Sequence, residues 1–94
     1  MKAVAAEYGA HGVTSNAICP GAVETDSMAV GGRQAASAAG ISYEAFLRQY
    51  ASQTMTGRLN TVEEVAAVAT LLASPAGGGI TGGLINVDGG TSPW

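Results

Sequence analysis

Two short stretches of this chain read as β-strands, residues 13–19 and 84–87, and about sixty residues of mostly helical pattern separate them. That spacing constrains the fold more than anything else in the chain. Strands joined by a long helical crossover pair in parallel, whereas a tight turn would make them antiparallel. Parallel pairs belong to α/β sheets. In the first stretch Val13, Ser15, Ala17 and Cys19 point one way and Thr14, Asn16 and Ile18 the other. Pro20-Gly21 ends it, because proline has no N–H to give to a ladder. The second stretch closes at Asp88-Gly89-Gly90. Two parallel strands are too few to cover one another, since parallel sheets have several members and are buried on both faces. Residues 1–94 are therefore expected to form one partial domain, with more of the sheet upstream.

The helical patterns carry their own punctuation. Residues 1–8 read as a helix stopped by Gly9-Ala10-His11-Gly12, yet no capping residue precedes Lys2. A helix that short is marginal in water, where ~12 to 15 residues are needed, so the chain is expected to begin inside an element. Ser42 can cap a helix through Ser52 that sets Tyr43, Phe46, Leu47 and Tyr50 on one face. Thr61-Val62-Glu63-Glu64 is a capping box that opens a third helix. Val62, Val65, Ala66, Val68, Ala69, Leu72 and Ala73 form its apolar stripe, and Ser74-Pro75 stops it. Gly77-Gly78-Gly79 reads as a turn. Residues 24–40 are small, polar and glycine-rich, with Gly31-Gly32 and Gly40 as flexible points, and predict a mobile loop or frayed helix. The expectation is α/β, with about two strands and three helices.

Charge is scarce. Charged residues are 12% of the chain, against roughly 25% in ordinary domains, and apolar residues are 47%. Too little charge remains to cover the surface, so part of it is expected to lie against another chain or further sequence. The four bases, Lys2, Arg33, Arg48 and Arg58, are scattered among seven acids, and no basic stripe exists to track phosphates. Nucleic acid is excluded as a partner on that ground. Cys19 is the single cysteine, which removes disulfide scaffolds and Cys/His zinc sites and points to a reducing compartment, the cytoplasm. No apolar run approaches the ~18 residues that span a bilayer, and Glu7 sits where a signal peptide needs apolar residues.

Three stretches together resemble the C-terminal part of the short-chain dehydrogenases/reductases, a family of NAD(P)-dependent Rossmann oxidoreductases. They are Asn16-Ala17-Ile18-Cys19-Pro20-Gly21-Ala22-Val23-Glu24-Thr25; Gly57-Arg58-Leu59 with Glu63-Glu64-Val65-Ala66 and Leu71-Leu72-Ala73-Ser74; and Ile80-Thr81-Gly82-Gly83-Leu84-Ile85-Asn86-Val87-Asp88-Gly89-Gly90. The resemblance implies a C-terminal fragment of a Rossmann-like doubly wound parallel sheet and a hydride transfer between an alcohol and a ketone. It implies NAD or NADP as cofactor in the complete enzyme, with Pro20, Gly21, Val23 and Thr25 at the nicotinamide end. Pro20 and Gly21 would let the backbone approach the ring, the Val23 backbone would bond the carboxamide, and Thr25 would meet the carboxamide or a phosphate oxygen. Residues 26–41 become the mobile substrate lid. The 62–73 helix and the 84–87 strand become an interface with a second copy or a full-length homologue.

The departures are equally informative. Thr14 and Ser15 stand where the family has a basic and a branched apolar residue, and Val62 replaces a common proline. The chain holds no glycine-rich nucleotide loop, no Asn-Ala-Gly segment, no catalytic serine and no Tyr-x-x-x-Lys. No catalytic residue is assigned, and the chain alone is expected to be inactive and to bind no cofactor tightly. Gly77-Gly78-Gly79-Ile80-Thr81-Gly82 satisfies the dinucleotide fingerprint, but it follows a helix and precedes a strand, the reverse of the required context. His11 between glycines reads as a solvated surface residue, Thr25 as a possible helix cap, and Cys19 as a small buried hydrophobe. Two rivals stand beside the enzyme fragment: a non-enzymatic module that co-assembles with full-length relatives, and a small α/β nucleotide binder using residues 20–25.

Overall fold

The structure is a computed structural model in which residues 1–93 are described. In chain order the elements are α1 (Lys2–Tyr8), a 3-10 turn at Gly9–His11, β1 (Ala17–Pro20), α2 (Asp26–Ala39), α3 (Tyr43–Ala51), α4 (Val62–Ala73), a 3-10 turn at Pro75–Gly77, and β2 (Leu84–Val87). The two strands pair in parallel, with Ala17 opposite Leu84 and Pro20 opposite Val87. The α/β class and the long crossover follow directly.

The ladder starts at Ala17, four residues later than the alternation at Val13 suggests. Ahead of it, side chains replace rungs. Asn16 Nδ2 donates to the Ile80 carbonyl at 2.9 Å and its Oδ1 accepts from the Gly83 N–H at 2.9 Å. The Ser15 N–H donates to Thr81 Oγ1 at 3.0 Å, and the Gly82 N–H to the Ser15 carbonyl at 2.7 Å. Pro20 is tolerated as the last paired residue, and the Gly21 N–H, 3.0 Å from the Val87 carbonyl, carries the pairing one step further.

The largest departure lies between the strands. Residues 26–41, expected as a mobile loop or frayed helix, form the 14-residue helix α2 over most of their length, so the described residues hold four α-helices rather than about three. Thr25 Oγ1 caps the helix by accepting from the Met28 N–H at 3.1 Å. At the other end Gly40 adopts φ +72° and the Ile41 N–H reaches the Ala36 carbonyl at 3.0 Å, closing a Schellman motif. Between the caps, Gly32 and Ala36 are buried against α3. A glycine inside a helix costs about 1 kcal/mol relative to alanine, and packing overrides that cost at Gly32.

The remaining helices follow their sequence signals. Ser42 Oγ caps α3 through the Ala45 N–H at 3.0 Å, and Phe46 and Tyr50 meet edge to face with centroids 5.3 Å apart. At α4 both arms of the capping box are present: Glu64 N–H to Thr61 Oγ1 at 3.1 Å, and Thr61 N–H to Glu64 Oε1 at 2.8 Å. Ser74, in extended backbone before Pro75, ends it.

The core is thin. Ala5 and Ala36 are the buried hydrophobic residues, and the radius of gyration is 16.8 Å, against about 12 Å for a compact chain of this length. The accessible surface is 5978 Å², about 1,000 Å² more than a folded monomer of this mass exposes. Among the described residues β1 has a partner along one edge only.

Candidate functional site at the carboxyl edge of the sheet

Because β1 and β2 run the same way, Pro20 and Val87 leave the sheet at one edge. The chain after β1 rests on the chain after β2. A Cβ at Gly21 would stand 2.8 Å from both Cα and Cβ of Asp88, so no side chain fits there. Asp88 is only 7% exposed. Its carboxylate accepts from the Ser92 and Gly90 N–H groups at 2.9 Å each, and the Ser92 side chain together with these amides holds the carboxyl below its ordinary range. The Gly89 carbonyl accepts from the Met55 N–H at 2.7 Å and the Thr56 N–H at 3.2 Å. Residues 88–92 thus form a fixed turn that supports residues 20–25.

Above that support the backbone alternates between tied and free. The Ala22 carbonyl accepts from the Asn60 N–H at 3.0 Å, and Val23 forms an isolated parallel bridge with Asn60. Neither the N–H nor the C=O of Val23 makes a hydrogen bond among the described residues. Thr25 Oγ1 accepts the capping bond from Met28, and its hydroxyl proton remains available to donate. Facing this loop is α4. Pro20, Gly21, Val23 and Thr25 line one groove of about 530 Å³ whose opposite wall is Val62, Val65, Ala66 and Ala69. That volume falls in the range of small-molecule sites.

All four residues singled out in the sequence therefore share one groove. A side chain at Gly21 would meet Asp88, so the turn after β2 itself requires glycine there. Thr25 does cap a helix. Four of the seven residues of the α4 stripe face this groove, and no α4 residue is buried. Asn60 was missed: it is 8% exposed, pairs with Val23, and extends Nδ2 toward Glu64 Oε1 at 3.4 Å. Its only sequence signal is its place just before the Thr61 cap.

The base of α4 is charged. Arg58 holds Glu64 with two bonds, Nη1 to Oε1 at 2.9 Å and Nη2 to Oε2 at 2.6 Å. This pair, with the Thr61 N–H, pulls the Glu64 carboxyl from 4.5 down to about 2. A second depression, about 570 Å³, opens between α3 and the start of α4, with Glu24, Arg48 and Asn60 among its lining. His11 is exposed and Cys19 half-buried opposite Asn86. Among the described residues no cluster of His, Cys, Asp or Glu could hold a metal ion, and no helix is long and apolar enough to cross a membrane.

A family model described as enoyl-(acyl carrier protein) reductase matches residues 1–92. The chain belongs to the short-chain dehydrogenase/reductase family. A short-chain reductase protein, NovJ of Streptomyces niveus, is 38% identical over 89 residues, 95% of this chain and 32% of that protein. A short-chain dehydrogenase family protein from Francisella tularensis superposes with a TM-score of 0.89 at 30% identity, covering 96% of this chain and 37% of the other. YwfH, an NADPH-dependent reductase involved in bacilysin biosynthesis, superposes at 0.85 with 29% identity, over 99% of this chain and 35% of its own. The chain thus spans about a third of the length of the curated relatives it matches. In this short-chain dehydrogenase/reductase chain Asn16 ties the amino ends of the two strands, Glu64 closes the capping box of α4, and the Asp88 turn lies against Gly21 at the groove.

Proposed function

We propose that this chain forms the nicotinamide side of the dinucleotide site of an NAD(P)-dependent oxidoreductase that interconverts an alcohol and a ketone. Val23 carries the reading. A nicotinamide carboxamide offers one acceptor and one donor, and Val23, which lines the groove, has an N–H and a C=O that no described residue engages. The Thr25 hydroxyl proton can reach a carboxamide or phosphate oxygen. Pro20 and the α4 wall of Val62, Val65, Ala66 and Ala69 keep water from one flank. When bound, the cofactor supplies the hydride. The part of this chain is to hold and orient. Val23 fixes the rotation of the ring, and the Asp88 turn keeps the loop in place. NAD and NADP meet the same two atoms, since they differ at the distant adenosine ribose.

The family's serine and Tyr-x-x-x-Lys lie outside these residues, so the chain by itself is proposed to carry out no turnover and to bind its cofactor weakly. Residues 26–41 are proposed as the substrate lid, and the reducing cytoplasm as the compartment suiting Cys19. Titrating the chain with NADH and following its fluorescence tests the reading. Binding with a Kd near or above ~1 mM, weakened further by Thr25→Val and competed by nicotinamide mononucleotide, supports it. Binding competed by adenosine monophosphate alone, or indifferent to Thr25, overturns it.

The exposed surplus favours a second reading. Val62, Leu71 and Leu84 are 48%, 44% and 49% exposed, and about 1,000 Å² of excess surface compares with the ~800 Å² each partner buries in a standard interface. The 62–73 helix and 84–87 strand suit a two-fold pairing with a second copy or a full-length homologue. On this reading the chain is an interaction module without enzymatic activity. Mixing labelled chain with a full-length relative would show co-assembly by sedimentation; two separate species would remove it.

A further inference from the structure

Four hydrogen bonds converge on the Glu64 carboxylate, and helix capping accounts for one of them. The Thr61 N–H at 2.8 Å belongs to the capping box. The other three come from residues ahead of the helix: Arg58 Nη1 at 2.9 Å and Nη2 at 2.6 Å, and Asn60 Nδ2 at 3.4 Å. Arg58 Nη1 also donates to the Leu59 carbonyl at 3.0 Å. Residues 58–61 belong to no helix or strand, yet each of them is tied through the Arg58 or the Glu64 side chain. A capped helix end needs none of the additional bonds. What they fix is the segment in front of the helix.

That segment carries Asn60, whose N–H donates to the Ala22 carbonyl at 3.0 Å and which bridges Val23 in parallel. In a parallel pairing a residue spends its bonds on the neighbours of the residue opposite, which keeps its own N–H and C=O for another partner. Val23 is therefore unengaged because Asn60 stands where it does. Asn60 is 8% exposed, and its Oδ1 has no partner among the described residues, so the bond to Glu64 is the one its side chain makes. Neither Arg58 nor Glu64 lines the groove. We propose that Glu64 is a positioning residue for the cofactor: held by Arg58, it fixes Asn60, and through Asn60 the place at which the Val23 backbone meets the carboxamide, a role that rests on the reading of Val23 as the carboxamide contact. Loosening Glu64 frees residues 58–61 first and the Ala22–Asn60 bond next. The interior of α4 and the Asp88 turn keep bonds of their own.

Amide hydrogen exchange without ligand tests the link, and nicotinamide mononucleotide then tests its use. Arg58→Ala carries the test, because it removes two bonds to Glu64 and keeps the capping box. It should speed exchange of the Asn60 amide about two- to fivefold, the range of an exposed ion pair, and leave Ala69 and Leu72 within α4 unchanged. Glu64→Gln keeps an acceptor oxygen for Thr61 and Asn60, so its Asn60 rate should fall between those of the unsubstituted chain and of Glu64→Ala. At saturation with nicotinamide mononucleotide, the downfield shift of the Val23 N–H should be smaller in Arg58→Ala than in the unsubstituted chain, although Arg58 lies outside the groove. An Asn60 rate that Arg58→Ala leaves unchanged, or an equal acceleration at Ala69 and Leu72, overturns the positioning role. If Val23 answers the nucleotide while Asn60 does not quicken, the Glu64 proposal alone fails. If Asn60 quickens but Val23 of the unsubstituted chain does not answer, the carboxamide reading fails and the Glu64 proposal falls with it.

Discussion

Replacing Gly21 by alanine probes the junction on which the groove stands. The new methyl carbon would lie 2.8 Å from Cα and Cβ of Asp88 and 3.3 Å from its carbonyl oxygen. Carbon atoms rest at about 3.5 to 4.0 Å, so one of the two segments must move by about 0.7 Å or more. Neither yields readily. Gly21 is held by its bond to Val87, and Asp88 by the Gly90 and Ser92 amides. Overpacking of this kind costs about 1–3 kcal/mol, while losing a glycine from the unfolded chain returns about 0.4–1 kcal/mol. The expected net is a destabilisation of about 1–2 kcal/mol, read as a lower urea midpoint with unchanged slope. The Gly21 amide should also exchange faster as its bond to Val87 lengthens. Gly9→Ala is the control: Gly9 has helical φ −58° and ψ −38° and nothing within 4 Å, so alanine there should be neutral or stabilising. If Gly21→Ala matched that control, the close support of the loop by the Asp88 turn would be wrong.

Asn16→Ala removes the two bonds that stand in for ladder rungs, at about 0.5–1.5 kcal/mol each, so urea denaturation should show a loss of about 1–3 kcal/mol and faster exchange at Gly83. Acid should loosen α4 through Glu64. Its folded carboxyl titrates near 2 against 4.5, so the folded state binds the proton less tightly than the unfolded one; the stabilisation is complete above about 4.5 and fades as pH falls toward 2. Arg58→Ala should move that fade, followed by far-ultraviolet circular dichroism, to higher pH; an unchanged acid profile would remove the ion pair from the account.

Where local chemistry decides structure, the sequence is readable. The capping box at Thr61, the Ser42 cap and the stop at Ser74-Pro75 involve neighbours in the chain, and each stands where the residues place it. The parallel pairing follows from the length of the crossover. The sequence leaves α2 between a mobile loop and a frayed helix because Gly31-Gly32 signals flexibility, while what stabilises the helix, the fit of Gly32 and Ala36 against α3, depends on contacts between two elements. Thr25 followed by Asp26, a run of alanines and Gly40 was the signal that could have found it. The site divided in the same way. Residues 20–25 were legible as a cluster, but the free amide pair of Val23 depends on Asn60 bridging from thirty-seven residues away in the sequence, and Gly21 depends on Asp88. Neither partner is visible in the local pattern.

The proposed contact between the Val23 backbone and a nicotinamide carboxamide can be tested directly. Amide resonances of the chain followed during addition of nicotinamide mononucleotide test it at the atom concerned. A saturable downfield shift of the Val23 N–H is expected, with smaller shifts at Gly21 and Thr25 and none at Gly9 or His11. A Val23 amide that stays still while other residues respond, or a shift equally produced by a ligand without the carboxamide, would contradict it.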